Sequence, residues 1–324
     1  MSQSMFLGTT YIMFGNFLWG LAFVVPTLLP DYSAIEITFG RYFVYGLFSL
    51  GLCLVKNDIN LGAIGVKLWG KALLFAFCGN IGYYFFLVLA IQLMGAPIPT
   101  LIVGILPVTL ALYGNWLNRE LKFSKMIPSI VLILLGTIVV NIVSIYGTLE
   151  GDGSSWSFSG LGFSLIALGL WTWYGVANTH FLKTHPQFNA NTWATITGVA
   201  TVILLPFLFA AIEYINPQAM DYMKLCQIPD SYLFWLINII LGFLVSWGGA
   251  VLWNKATLLL PIFLASQLMV GETIVGLGFV YLLNKAFPSL LESVGIIMII
   301  AGVIYSIQTT SKGDHYYESI DHGK

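Results

Sequence analysis

The stretch GYYFFLVLAIQLMGAPIPTLIVGILPVTLALYGNWLNRELKFSKMIPSIVLILLGTI, Gly82 to Ile138, returns 166 positions later as GGAVLWNKATLLLPIFLASQLMVGETIVGLGFVYLLNKAFPSLLESVGIIMIIAGVI, Gly248 to Ile304. The register needs no gap. It pairs Gly82 with Gly248, Ala90 with Ala256, Leu117-Asn118-Arg119 with Leu283-Asn284-Lys285, and Gly136 with Gly302. Apolar matches carry little weight in a chain that is 58% hydrophobic, but Asn and Gly at a fixed offset are harder to reach by chance. The chain therefore reads as a duplicated unit.

Working outward, the surroundings of both copies are equally apolar. Charged residues are 8% of the chain, against roughly 25% in soluble proteins, so most of the surface must face lipid. A span takes about 20 apolar residues, because a helix rises about 1.5 Å per residue across a hydrocarbon core of about 30 Å. Ten stretches qualify: Gly8–Leu29, Ala34–Val55, Ala72–Leu93, Ile98–Leu117, Ile127–Ser144, Leu161–Leu182, Trp193–Ile212, Leu233–Thr257, Phe263–Leu283 and Leu290–Ile307. The first follows no basic run and is closed by no small-residue cleavage site, so it is expected to persist as a helix. The fold class is all-α and integral to the membrane, with ten helices.

Loop charge sets an expected orientation. Lys56, Lys67, Lys71, Arg119, Lys122, Lys125 and Lys183 fall on one side with Lys312 and Lys324, while the other side has Lys224 and Lys285 among Asp31, Glu150, Asp152, Glu213, Asp221 and Asp230. By the positive-inside rule both termini are cytoplasmic, in a multi-pass protein of the plasma membrane, the inner membrane in a bacterium. Five helices per copy is odd, so the two copies insert with opposite polarity and form inverted repeats around a central cavity. Residues 1–147 are the first repeat, 148–160 an acidic, Gly/Ser-containing linker, 161–310 the second repeat, and 311–324 a polar cytoplasmic tail. Inverted repeats with a midplane site are the architecture of secondary transporters.

Other function classes find less support. Cys53, Cys78 and Cys226 form no CxxC or His-linked metal spacing, no cofactor motif is present, and His180 and His185 stand without the acids of a membrane enzyme. A net charge of −1 without a basic cluster argues against nucleic acid.

Four short motifs resemble the drug/metabolite transporter superfamily, and within it the ten-helix EamA type that includes YddG-like aromatic amino acid exporters. They are Leu18-Trp19-Gly20, the segment Glu36 to Arg41, Leu252-Trp253-Asn254 with Ala256, and Gly271-Glu272-Thr273, where the family commonly has Glu-Pro. Here Thr273 replaces that proline, while the first repeat keeps it as Pro107 and lacks the acid. The resemblance implies a cavity lined mainly by helices 1, 3, 4, 6, 8 and 9, and export of small metabolites.

Candidate site residues follow from the cost of charge at bilayer depth. Glu272 is nominated as a proton-binding carboxylate or a partner for a substrate ammonium, against an acid that only fixes packing. Lys255 either snorkels to the interface or meets a substrate carboxylate or Glu272. Arg41 and Pro107 are candidates for gating or coupling, together with Glu272. Asn80, Tyr83 and Tyr84 in helix 3, Trp171 and Tyr174 in helix 6, Trp247, Trp253 and Asn254 in helix 8, and Gln267 in helix 9 place polar or aromatic groups at helical spacings that suit a cavity, or packing and interfacial belts. The expected partners are a small-molecule substrate, the lipid bilayer and protons. The leading function is export of amino acids or related amphipathic compounds, with a broad toxic-compound extruder and a non-transporting receptor or structural protein as alternatives.

Overall fold

The computed structural model describes residues 2–55, 61–95, 97–150, 157–218, 220–226 and 231–321. Among them there are helices and no strands, and ten helices are long and apolar enough to cross a membrane. They are α1 Gln3–Leu28, α2 Ala34–Val55, α3 Val66–Met94, α4 Ile98–Asn118, α5 Phe123–Ile142, α6 Phe158–Thr184, α7 Ala190–Ile215, α8 Tyr232–Leu259, α9 Ile262–Asn284 and α10 Leu290–Ser311. Each overlaps one stretch expected from hydropathy. The largest difference is at α3, which begins at Val66 rather than Ala72 and so gains a turn carrying Lys67 and Lys71. Hydropathy cannot see such a turn, because its helical hydrogen bonds extend past the apolar window. The expected linker at 148–160 falls largely on 151–156, outside the described residues, as do the tail residues 322–324; up to Asp321 the tail continues the last helix.

Alternation of the helices gathers Arg119, Lys122, Lys125 and Lys183 at one end of the bundle, here the basic end, and Asp31 and Asp221 at the other, the acidic end. At the acidic end Ser33 and Glu36 form a capping box for α2: Ser33 N–H donates to Glu36 Oε2 at 2.7 Å and Glu36 N–H to Ser33 Oγ at 3.2 Å. Glu36 also accepts from Asp221 N–H at 3.2 Å, which explains why an acid can be 4% exposed there. Ser289 and Glu292 cap α10 in the same way.

The duplication is visible in the backbone. Both α3 and α8 pass through a π-helical segment, Phe77–Ile81 and Leu241–Gly248, and the offset of 166 maps the first inside the second. Both α4 and α9 break in mid-span, at Ile105 and Val270. Arg119 and Lys285, paired by the same offset, end these helices in the left-handed conformation with φ of 52° and 51°. Packing obeys the same exchange. The pairs α2 with α7, α4 with α9 and α5 with α10 each map onto themselves, and α3 with α6 maps onto α8 with α1. Close approach needs glycine at two of these crossings. A Cβ on Gly79 of α3 would sit 2.8 Å from the Tyr174 ring of α6, and one on Gly249 of α8 would collide with the Trp19 indole of α1.

Candidate functional site

The breaks divide α4 and α9 into halves of opposite character. At the basic end Ile262–Met269 of α9 is buried throughout and packs on Leu106–Asn118 of α4, with the Ile262 side chain seated on Gly114. Met5, Ile12, Leu110, Trp253 and Leu260 complete this plug at 2% exposure or less. Toward the acidic end Gly271–Asn284 has one buried residue, Gly276, and the stretch Thr100 to Ile105 has none. The contact between α4 and α9 is thus buried at the basic end and looser toward the acidic end.

Glu272 lies just past the break, in the first turn of Gly271–Asn284, the less buried half of α9. The break that places it there is stitched by buried amides. Asn16 Nδ2 donates to the Leu268 carbonyl at 2.8 Å, and Gln267 Nε2 donates to the Pro107 carbonyl at 3.1 Å, next to the break in α4. Backbone groups freed in mid-membrane need such partners. Gln267 and Pro107 are therefore structural neighbours across the two breaks, and Gln267 is fully buried.

Arg41 reaches the same region from α2. Its Nε donates to Ser246 Oγ at 2.8 Å, in the π-helical segment of α8, and its guanidinium lies 5.6 Å from the Tyr42 ring. Arg41 is close enough to Glu272 to interact electrostatically, and Tyr83 lies within the field of both. Arg41, Tyr83 and Glu272 are all partly exposed. Among the described residues the Glu272 carboxylate has no hydrogen-bond partner and Arg41 bonds only through Nε. The nearby wall is aromatic: Tyr174 to Trp171 at 5.8 Å, Trp171 to Trp253 at 6.0 Å, and Trp253 to Trp19 at 6.1 Å between ring centroids.

The remaining nominated residues are engaged in contacts of their own, Tyr84 close to Tyr42 at 6.4 Å between ring centroids. Asn80 donates to Thr201 Oγ1 at 2.9 Å and ties α3 to α7, while Tyr84 donates to the Ala34 carbonyl at 2.7 Å and anchors the start of α2. Trp247 donates to Thr195 Oγ1 at 3.0 Å and packs on Phe48 and Phe243, the latter exposed on the bundle surface. Asn254 is buried in a relay near the basic end: Asn178 Nδ2 donates to its Oδ1 at 2.8 Å, and Trp193 Nε1 donates to Asn178 Oδ1 at 2.8 Å. Lys255 lies 5.5 Å over the Tyr11 ring and, with Lys183, lines an open cavity of about 590 Å³ on the basic end. It is four residues from the end of α8, whereas Glu272 is ten residues into α9 from the same end, an axial separation of about 9 Å. Trp19, Asn16 and Glu120 belong to the working architecture without having been nominated as site residues from sequence. Asn16 carried a signal, being an amide within an apolar span.

The EamA-like transporter family model matches residues 6–142. The inner membrane protein YtfF of Escherichia coli (strain K12) is 32% identical over 311 residues, covering 94% of this chain and 96% of its own. A crystal structure of a protein 16% identical superposes with a TM-score of 0.72, covering 96% of this chain and 99% of that one. At that identity the likeness speaks for the fold.

Proposed function

Because this chain belongs to the EamA-like transporter family, we propose that it is an inner-membrane secondary transporter that exports small amphipathic metabolites, amino acids foremost, by alternating access. The observation that carries the reading is the placing of Arg41, Tyr83 and Glu272 within one another's field inside the membrane span, beside an aromatic wall, with all three partly exposed. A charge facing lipid is costly, so a partly exposed one in mid-span belongs to a water-filled pathway. A zwitterion fits: its carboxylate meets the Arg41 guanidinium, its ammonium meets Glu272, and its apolar side chain lies against Trp171 and Tyr174. The pathway follows from the two half-sealed helices. With the basic end cytoplasmic, as the loop cations favour, the plug of α4 and α9 closes the inner side while the site opens outward. Exchange of packing between the pseudo-symmetric halves reverses this. Glu272 is the acid placed for proton coupling, since Glu36 and Glu292 are committed to helix caps at the acidic end.

Pooled amino acid counterflow in proteoliposomes, with and without a pH gradient, tests the reading. Exchange of one compound class, lost in Glu272→Gln and in Arg41→Gln, is the expected result. Flux of unrelated hydrophobic cations instead would make the protein a broad extruder. The absence of flux for every compound, together with a thermal shift on binding one, would make it a receptor.

A further inference from the structure

The plug at the basic end carries one feature that the pseudo-symmetry does not repeat. Glu120 follows the left-handed Arg119 at the end of α4, and its carboxylate crosses to the other repeat. Oε1 accepts from Ile262 N–H at 2.9 Å and Oε2 from Phe263 N–H at 3.0 Å. These are the first residues of α9, whose N-cap Pro261 supplies no side-chain cap. The free N–H groups of a helix N-terminus and its dipole both favour a carboxylate there. The segment is fixed on either side of Glu120. Asn115 Oδ1 accepts from Leu121 N–H at 2.8 Å, its Nδ2 donates to the Leu121 carbonyl at 3.0 Å, and Asn118 Nδ2 lies 3.3 Å from Glu120 Oε1.

The other repeat supplies an internal control. Lys285 keeps the left-handed turn, with φ of 51° against 52° at Arg119, but the offset places Ala286 where Glu120 stands. The donor side is altered as well: Phe263 corresponds to Pro97, which has no N–H. The turn is therefore retained without the acid, and at that end the halves Thr100 to Ile105 and Gly271–Asn284 hold Gly276 as their one buried residue. Where the acid is present, Ile262–Met269 is buried completely. Two charge-assisted hydrogen bonds hold α4 to α9 at the closed end.

We propose that Glu120 is the latch of the basic-end gate, and that the lack of a counterpart at Ala286 sets the resting state with the acidic end open. This rests on the transport reading for its purpose, though not for its test. To admit substrate from the basic end, α9 must leave α4. That movement breaks both bonds at the α9 N-terminus, so Glu120 sets how often the gate opens. Its partners across the repeats are backbone N–H groups, and it does not touch the substrate site.

The test is the accessibility of a buried cysteine. With Cys53, Cys78 and Cys226 replaced by serine, Ser266→Cys places a thiol inside the sealed half of α9, and Thr197→Cys places one in the basic-end half of α7 away from the gate; both residues are buried. A membrane-impermeant maleimide is applied to the basic face in oriented vesicles. Glu120→Ala raises the labelling rate at Ser266→Cys tenfold or more, and Glu120→Gln, which keeps one acceptor, raises it less. In both backgrounds Thr197→Cys is unaffected. The proposal is overturned if labelling at Ser266→Cys stays within twofold of the parent in both variants, or if the two positions rise together, which marks general loosening. Because labelling is read without substrate, it reports on the latch even where no transported compound is found. Failure of the transport reading appears only in the flux assay.

Discussion

Replacing Asn178 with alanine removes the centre of the relay that joins α6, α7 and α8 near the basic end, and its cost can be worked from the geometry. Asn178 and Trp193 are 1% and 0% exposed, and the two bonds through the Asn178 amide are both 2.8 Å. The substitution leaves Trp193 Nε1 and Asn254 Oδ1 buried without partners. An orphaned buried group costs about 1–3 kcal/mol by soluble-protein measurements, while hydrogen bonds between membrane helices average about 0.6 and reach about 1.7 kcal/mol. Two orphans at the lower part of these ranges give a loss of about 2–4 kcal/mol. At roughly 2–4 °C per kcal/mol for a large domain, Tm falls by roughly 4–16 °C. Trp193→Phe orphans Asn178 Oδ1 alone and costs less, about 1–2 kcal/mol on the same scale. The double variant no longer carries the Trp193 and Asn178 orphans, so on the same scale the two changes couple by about 2–4 kcal/mol. Equilibrium unfolding in mixed micelles, run for the wild type, both single variants and the double, measures that coupling. A value below about 0.3 kcal/mol, the level at which independent sites add, would refute the shared relay.

Four further outcomes follow from the site and the fold. Glu272→Gln abolishes stimulation of flux by a pH gradient, and persistence of that stimulation in the variant excludes Glu272 as the coupling acid. Gly79→Ala forces a Cβ to 2.8 Å from the Tyr174 ring; at an overpacking cost of about 1–3 kcal/mol it lowers stability and changes substrate affinity, while Gly162→Ala, with open space around it, does neither. Asn16→Leu removes the donor to the Leu268 carbonyl at the α9 break and lowers Tm by several degrees, whereas Asn16→Asp, tested alongside, shows whether the donor or only the volume is needed. Reporter fusions at both termini read cytoplasmic, and a periplasmic signal at either one contradicts the orientation inferred from Lys122, Lys125 and Lys183.

The match between hydropathy and the ten helices has a simple cause. In lipid the spanning backbone must satisfy its own hydrogen bonds, so an apolar run of sufficient length has no alternative to helix. The repeat was legible for a related reason, since Asn118 with Asn284 and Gly136 with Gly302 stand out against an apolar background. Glu272 and Arg41 were legible because charge is rare at that depth. Trp171 and Tyr174 share one helical face by spacing, and the structure brings that face to the aromatic wall. The same reasoning nominated Trp247 and Asn80, which the structure ties to Thr195 and Thr201 of α7. Periodicity fixes which residues share a face, but not which neighbour that face meets.

Sequence alone determined the solvent, the number of spans, the duplication and the depth of the two mid-span charges, all of which depend on local composition and on one dominant cost, that of polar groups in hydrocarbon. Only tertiary structure decided which end is sealed, where α4 and α9 break, and that Glu120 binds across the repeats while Ala286 cannot. Those are contacts between segments far apart in the chain. Their free energy arises when helices of opposite polarity are laid side by side and their exposed backbone groups find, or lack, a partner.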